Sequence, residues 1–279
     1  MAFSIAAICA FALSPLLFPV AYSLGAIDVP EDSRRMHKNP TPRIGGIAVF
    51  GGFVTAAVLF SDAQLTALLT GGMILVSIGL VDDVYRIDAY RKLAFQVIAA
   101  IVAVAFGAGA SDGNRLLAAV MSVAWLVILP NAFNLIDGLD GLCGRTALAS
   151  ALALFFVGRS YLALALAGAL LGFLPFNLHP ARMFLGDTGS LFIGFVLGVI
   201  SLKAADGGAS YASLALIFAL PLADMSFAFF RRILNGKSPF APDRAHFHHK
   251  LVDRGFSHTE ASMLLSLVAL ALCSLAILI

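Results

Sequence analysis

The sequence predicts an all-α integral membrane protein, a single domain over residues 1–279 that crosses the bilayer about ten times. Composition is the first observation behind this prediction. Of the 279 residues 60% are apolar and 12% charged, and mean hydropathy is +0.95. A water-soluble domain averages roughly 45–50% apolar and about 25% charged, so an ordinary soluble globule is excluded. The second observation is that the apolar residues gather in runs of near-spanning length, and the third is that the basic residues collect on one side of those runs.

A helix needs about 20 mostly apolar residues to cross a hydrocarbon core of roughly 30 Å. In chain order the runs are roughly 2–24, 44–60, 63–81, 93–109, 115–133, 143–158, 160–178, 188–205, 211–230 and 259–279. The first has no Lys or Arg ahead of it, so it reads as a retained helix and not a cleaved signal peptide. Only Gly158, Arg159 and Ser160 separate the sixth from the seventh. If every run crosses, the connecting segments alternate sides. All 18 Lys and Arg except Arg115, Arg159 and Lys203 then share one side, which the positive-inside rule makes cytoplasmic, with both termini outside. The longest polar stretch, roughly 235–257, is too short and too polar to bury a core of its own.

The formal charge of +2 gives no reason to expect nucleic acid as a partner. Cys9, Cys143 and Cys273 lie far apart, without the paired spacing of a zinc site or a disulfide framework, and read as small apolar fillers. The acids sort as the bases do. Asp28, Glu31, Asp32, Asp82, Asp83, Asp88, Asp137, Asp140, Asp187, Asp243, Asp253 and Glu260 fall at the cytoplasmic side, and Asp62, Asp112 and Asp206 outside. Asp224 stands inside the ninth run, where a charge costs at least ~2.5 kcal/mol and calls for a partner. Its reading is open between a structural and a catalytic role.

Four cytoplasmic segments carry chemistry. In IGLVDDVYRIDAYRKLAFQ, Asp82 and Asp83 end one span, and Lys92 and Gln96 stand one turn apart on the next. Adjacent carboxylates repel unless a cation neutralises them, so the pair points to a divalent metal or a proton acceptor, with helix capping as the plainer alternative. In NAFNLIDGLDGLCG, Asn131, Asn134, Asp137 and Asp140 recur every third residue, near one face if helical, among Gly138, Gly141 and Gly144. Oxygen ligands suit Mg²⁺ or Mn²⁺, and glycines admit a phosphate close to backbone. In RMFLGDTGSLFIGF, Asp187 stands at the start of a span, where free N–H groups favour anions; it is either part of a diphosphate site or a cap. In GKSPFAPDRAHFHHKLVDRGFS, His246, His248 and His249 accompany Arg244 and Lys250. These suit phosphate or a nucleotide better than a metal, and a solvated basic loop is the alternative. Acids for a metal and bases for phosphate on one face favour phosphoryl transfer, although no P-loop is present.

Taken together and in this order, Asp82-Asp83, the Asn134 to Leu142 stretch, Phe184 to Ser190 and Pro242 to His249 resemble the signature segments of the polyprenyl-phosphate N-acetylhexosamine-1-phosphate transferases, glycosyltransferase family 4. The stretch from Asp28 through Arg34, His37, Pro40 to Arg43 and Gly45-Gly46 looks like that family's first cytoplasmic loop. The HxHH form of the last motif is more similar to the branch that starts O-antigen, common antigen or teichoic acid linkage units than to the phospho-MurNAc-pentapeptide branch of peptidoglycan synthesis, which is the alternative. The resemblance implies transfer of sugar 1-phosphate from a UDP-N-acetylhexosamine to undecaprenyl phosphate, releasing UMP, with Mg²⁺ (or Mn²⁺) required, at the cytoplasmic face of a bacterial inner membrane. A homodimer is left open.

The resemblance also implies roles. Asn134 and Asp187 match the metal ligands. Asp82 and Asp83 match the acidic pair that deprotonates or orients the acceptor phosphate, in a direct route or through an aspartyl-phosphate. Lys92, Asp137 and Asp140 match positions near nucleotide and diphosphate, and Arg244, His246, His248 and His249 match the lid over the nucleotide-sugar. Two departures stand out: relatives usually have an eleventh span, and they often carry an acid closer to the pair than Asp88 is here. From other classes, a transporter would place a polar path and broken helices near the midplane. A membrane di-iron hydroxylase would need several histidine clusters, and this chain has one besides His37, His179 and His258.

Overall fold

Helices carry nearly all of the secondary structure in the computed structural model, which describes residues 1–29, 40–60, 65–110, 114–238 and 246–279. Among the described residues they are α1 (Ala2–Leu24), α2 (Gly45–Leu59), α3 (Leu65–Tyr85), α4 (Ala89–Ala103), α5 (Arg115–Ile136), α6 (Leu142–Gly158), α7 (Tyr161–Asn177), α8 (Gly186–Asp206), α9 (Tyr211–Ile217), α10 (Ala219–Leu234), α11 (Phe247–Asp253) and α12 (His258–Leu278). A two-residue antiparallel pairing joins Ile27–Asp28 to Thr41–Pro42. Several helix starts follow from local chemistry: Asp88 caps α4, Asn114 caps α5, and Ser257 with Glu260 forms a reciprocal capping box on α12.

Each apolar run is helical over most of its described residues, yet the expectation of about ten spans is not confirmed. Among the described residues six helices, α1, α3, α4 with its extension to Ala108, α5, α8 and α12, are long and apolar enough to cross a membrane, and the bent pair α9–α10 makes a seventh if it counts as one. The helices α2, α6 and α7 have 15, 17 and 17 residues. At about 1.5 Å per residue these reach only some 22–26 Å, short of a typical core. The ninth run is also not continuous, because α9 and α10 meet at a 73° bend. Pro221 explains the break: it has no N–H to give to Ile217, four residues earlier. The freed Ile217 carbonyl accepts instead from Ser150 Oγ at 3.2 Å and Cys273 Sγ at 3.7 Å, as buried backbone in an apolar setting must.

The bundle is organised around α8, whose apolar stretch is 83% buried against 17% for α1. Helices α2, α3, α5 and α6 pack directly on it, while α1 lies against α2 and α7. Close approach at the start of α8 depends on Gly79 of α3. A Cβ there would sit 2.5 Å from Thr188 Cα, so only a residue without one lets the two backbones touch. One turn beyond Gly79 stands Asp83, and this contact is what delivers the acidic pair to α8.

Candidate active site

The site forms where the C-terminal ends of α3 and α5 meet the N-terminal ends of α4 and α8. Asp83 has a fully buried side chain. Its Oδ1 accepts the Asp187 N–H at 3.0 Å, and its Oδ2 accepts the Thr188 N–H at 3.0 Å and the Thr188 hydroxyl at 2.7 Å. Arg43 lies 3.4 Å from Oδ1. The carboxylate thus caps α8 from another helix, satisfying free N–H groups and complementing the positive end of the helix dipole. The plainer capping reading of the acidic pair holds for Asp83, with the cap placed on α8 and not on its neighbour in sequence. Gly186 makes room for this: its φ is +72°, and a side chain there would collide with the Arg43 carbonyl and with Asp83 itself.

Asp82 points the other way. Its Oδ1 accepts the Ile87 N–H at 2.9 Å, and its Oδ2 accepts from Lys92 Nζ at 3.2 Å. The same ammonium donates to Asp187 Oδ2, so one lysine bridges two carboxylates from different helices. Behind it, the Gln96 and Asn131 side-chain amides pair with each other. Asn134 lies beside Asp187 and donates to Ser190 Oγ at 2.9 Å. An amide oxygen and one or two carboxylates are hard oxygen donors, and Mg²⁺ commonly takes such a partial set from protein and completes it with water and substrate phosphates. Among the described residues no three His, Cys, Asp or Glu side chains form a cage of their own. Such a partial set fits a cation shared with a phosphate ligand.

The three-residue spacing of Asn131, Asn134, Asp137 and Asp140 does not continue as one helical face, because α5 ends at Ile136. Asp137 takes the C-cap position, and the chain turns through Gly138 and Gly141, the latter at φ +70°. Desolvation first, then the charges of Asp187 and Asp83, push the Asp137 carboxyl up to about 8; a divalent cation alongside would reverse that shift. Asp140 faces a different neighbour. Its Oδ2 lies 2.7 Å from His179 Nδ1 and accepts the Ala181 N–H at 3.0 Å, and its backbone carbonyl accepts from Ser262. It ties the 137–141 turn to the segment after α7 and to α12, and its carboxylate is not turned toward Lys92. His179 and His258, isolated in the sequence, come within 6.1 Å of each other beside it.

The histidine segment closes the same end. The ring of His248 rests on Gly138, where a Cβ would strike its Nε2, and this nitrogen is buried without a hydrogen-bond partner among the described residues. Burial first, then the neighbouring His249, lowers its pKa to about 3, so the ring is neutral at physiological pH. The rings of His248 and His249 lie 4.2 Å apart. His246 is committed elsewhere: its Nδ1 lies 2.7 Å from Asp224 Oδ2. Arg244, His37 and the bases Arg34, Arg35 and Lys38 fall outside the described residues. Asp88, the candidate replacement for a nearer acid, caps α4 through the N–H groups of Tyr90 and Arg91 and pairs with Arg91 at 2.9 Å, away from the site. The structure thus joins Asp82, Asp83, Lys92, Asn134 and Asp187 directly, and Asp137 and His248 beside them. Sequence reading placed Arg43, Thr188 and Ser190 within motif segments but gave them no partner in the acidic cluster. The first has a physical signal in hindsight, because a buried carboxylate needs a cation within reach.

Comparison with known proteins identifies the family. The family model described as Glycosyl transferase family 4 matches residues 65–205, the stretch that supplies Asp82, Lys92, Asn134 and Asp187. The chain is 33% identical to the probable undecaprenyl-phosphate N-acetylglucosaminyl 1-phosphate transferase of Bacillus subtilis (strain 168), over 96% of this chain and 81% of the relative. It is 35% identical to the undecaprenyl-phosphate alpha-N-acetylglucosaminyl 1-phosphate transferase of Thermotoga maritima, over 87% and 78%. To the Escherichia coli (strain K12) protein of the same name the figures are 32%, 93% and 78%. With one cluster of acids, amides and a lysine drawn from four helix ends inside the matched stretch, and relatives similar over most of both chains, this chain belongs to glycosyl transferase family 4.

Proposed function

We propose that the chain transfers N-acetylhexosamine 1-phosphate from a UDP-sugar to undecaprenyl phosphate, giving undecaprenyl-diphospho-sugar and UMP at the cytoplasmic face of a bacterial plasma membrane. The observation that carries this reading is Lys92 bridging Asp82 and Asp187 beside Asn134, in a chain whose relatives are named for this transfer to a prenyl phosphate. The names of those relatives make N-acetylglucosamine the first sugar to test. In this reading an acceptor-phosphate oxygen attacks the sugar-bearing phosphorus, a new P–O bond forms, and the P–O bond to UMP breaks. Positioning and charge neutralisation supply most of the acceleration of such a step.

Asn134 and Asp187 would hold Mg²⁺, which when bound neutralises charge on the diphosphate. Lys92 adds a second cation, kept in place by Asp82 and Asp187. Asp82 orients that lysine and the acceptor phosphate, or takes the acceptor's proton, while Asp83 fixes the start of α8 so that Asp187 stays aimed. Asp137, with Arg244, His248 and His249, completes the nucleotide-sugar side. We extend the proposal to topology: α2, α6 and α7 also cross, with local thinning of the bilayer at modest cost, which keeps the four motif-bearing segments on one side.

The test incubates membranes containing the protein with undecaprenyl phosphate and a panel of UDP-N-acetylhexosamines, with and without EDTA, and identifies the lipid product by mass. A sugar-diphospholipid that vanishes with EDTA and in Asp187→Asn membranes supports the reading. Labelled solute taken up by proteoliposomes, with no lipid-linked product, would favour a transporter instead.

A further inference from the structure

Asp224 is an acid within an apolar segment, and its surroundings give it a task. It stands in the second turn of α10, just past the 73° bend, and is 3% exposed. Both of its carboxylate oxygens are taken: Oδ2 lies 2.7 Å from His246 Nδ1, and Oδ1 accepts the Phe247 N–H at 2.7 Å. The second contact caps α11, whose own N-cap residue His246 makes no side-chain cap. The first selects a tautomer. A carboxylate can only accept, so the proton of His246 sits on Nδ1.

A helix of seven residues has little stability alone. It is held here by that outside cap and by the apolar seat that Phe247, Leu251 and Val252 share with Leu139, Leu142 and Leu220. The rings of His246 and His248 are parallel, 6° apart in plane at a centroid distance of 5.8 Å. His248 in turn is the ring that rests on Gly138 beside Asp137.

We infer that Asp224 and His246 are a positioning pair: together they seat α11 and so hold the ring of His248 against the Gly138 turn, on the nucleotide-sugar side of the site, without touching substrate themselves. The inference rests on the function proposed above and divides labour within the histidine motif. His246 acts through its contact with Asp224, and His248 is the ring that this contact sets against the Gly138 turn.

The experiment separates the two nitrogens of His246 and the two substrates. An asparagine amide places a donor near the position of Nδ1, and a glutamine amide near that of Nε2. H246N is expected to keep transfer within about threefold of the parent, whereas H246A and H246Q fall by about tenfold or more. D224N presents an N–H to Nδ1 in place of an acceptor. It is expected to raise KM for the UDP-sugar about tenfold while KM for undecaprenyl phosphate stays within about twofold. Thermal unfolding in detergent, run on each variant, checks that the fold is retained. An active parent whose H246N variant is as weak as H246A would overturn the inference, because Nε2 would then act on substrate. So would a folded D224N protein in which both KM values move together. A parent that makes no lipid-linked product would sink the functional reading itself, a distinct result.

Discussion

The acidic cluster around Asp187 and the histidine segment around His248 meet at one end of the bundle, but they are held there differently. Asp83, Asp82 and Asn134 belong to long helices whose backbones touch α8 directly, with Gly79 against Thr188. Their positions follow from helix packing, which is close-packed and hard to deform. His248 belongs to a seven-residue helix anchored by one carboxylate and a small apolar cluster. The first arrangement suits groups that must stay within a fraction of an ångström of a reacting phosphorus. The second suits groups that must admit a nucleotide and release one.

The sharpest break of this contrast is Asp187→Asn, which removes a charge from the rigid cluster while leaving its packing alone. Transfer of sugar phosphate by membranes is expected to fall about 10²–10³-fold, at unchanged protein level, and full activity would remove Asp187 from the site. Gly79→Val attacks the packing instead. Its side chain would meet the backbone at Thr188, an overpacking that costs about 1–3 kcal/mol. The thermal unfolding midpoint in detergent should drop, and activity should drop with it, because Asp83 no longer reaches α8.

A pH titration probes the histidine side. The pKa of His248 is lowered from 6.5 to about 3, so the unfolded chain binds a proton that the folded chain refuses. Stability from this group is fully present above pH 6.5 and is lost as pH falls from 6.5 towards 3. His248→Asn, which cannot titrate, should flatten the unfolding midpoint across that window relative to the parent. An identical acid slope in both would show that His248 is not the group responsible. The smallest effect is reserved for an acid outside both regions. Asp88→Ala removes the cap of α4 at a cost of about 1 kcal/mol, visible in thermal unfolding, and lipid-linked product formation should stay at the parent's level.

Much of this was legible in the chain itself. The apolar runs locate the helices to within a few residues, since a 20-residue apolar segment has few alternatives in a bilayer. Asp82, Lys92, Asn134 and Asp187 stood out as candidates because they lie in ordered polar segments that charge alternation places on one side of the apolar runs and that resemble a family's signature motifs. Asp83 and Asp82, adjacent in sequence, could not be told apart, because which of them caps α8 depends on which side of α3 meets it. The same holds for Asp140, which was grouped with Asp137 by spacing until the turn at Gly138 and Gly141 separated their directions.

Composition and pattern therefore pointed by themselves to a helical, multi-pass membrane protein, because hydrophobic length and charge asymmetry are local properties of the chain. Only the tertiary structure decided the pairings: Asp83 with the start of α8, Lys92 between Asp82 and Asp187, and Asp224 with His246. Each of these joins residues that different helices bring together. Their distances are set by glycine contacts and by a proline bend whose consequences reach across the bundle, and no sequence spacing encodes them.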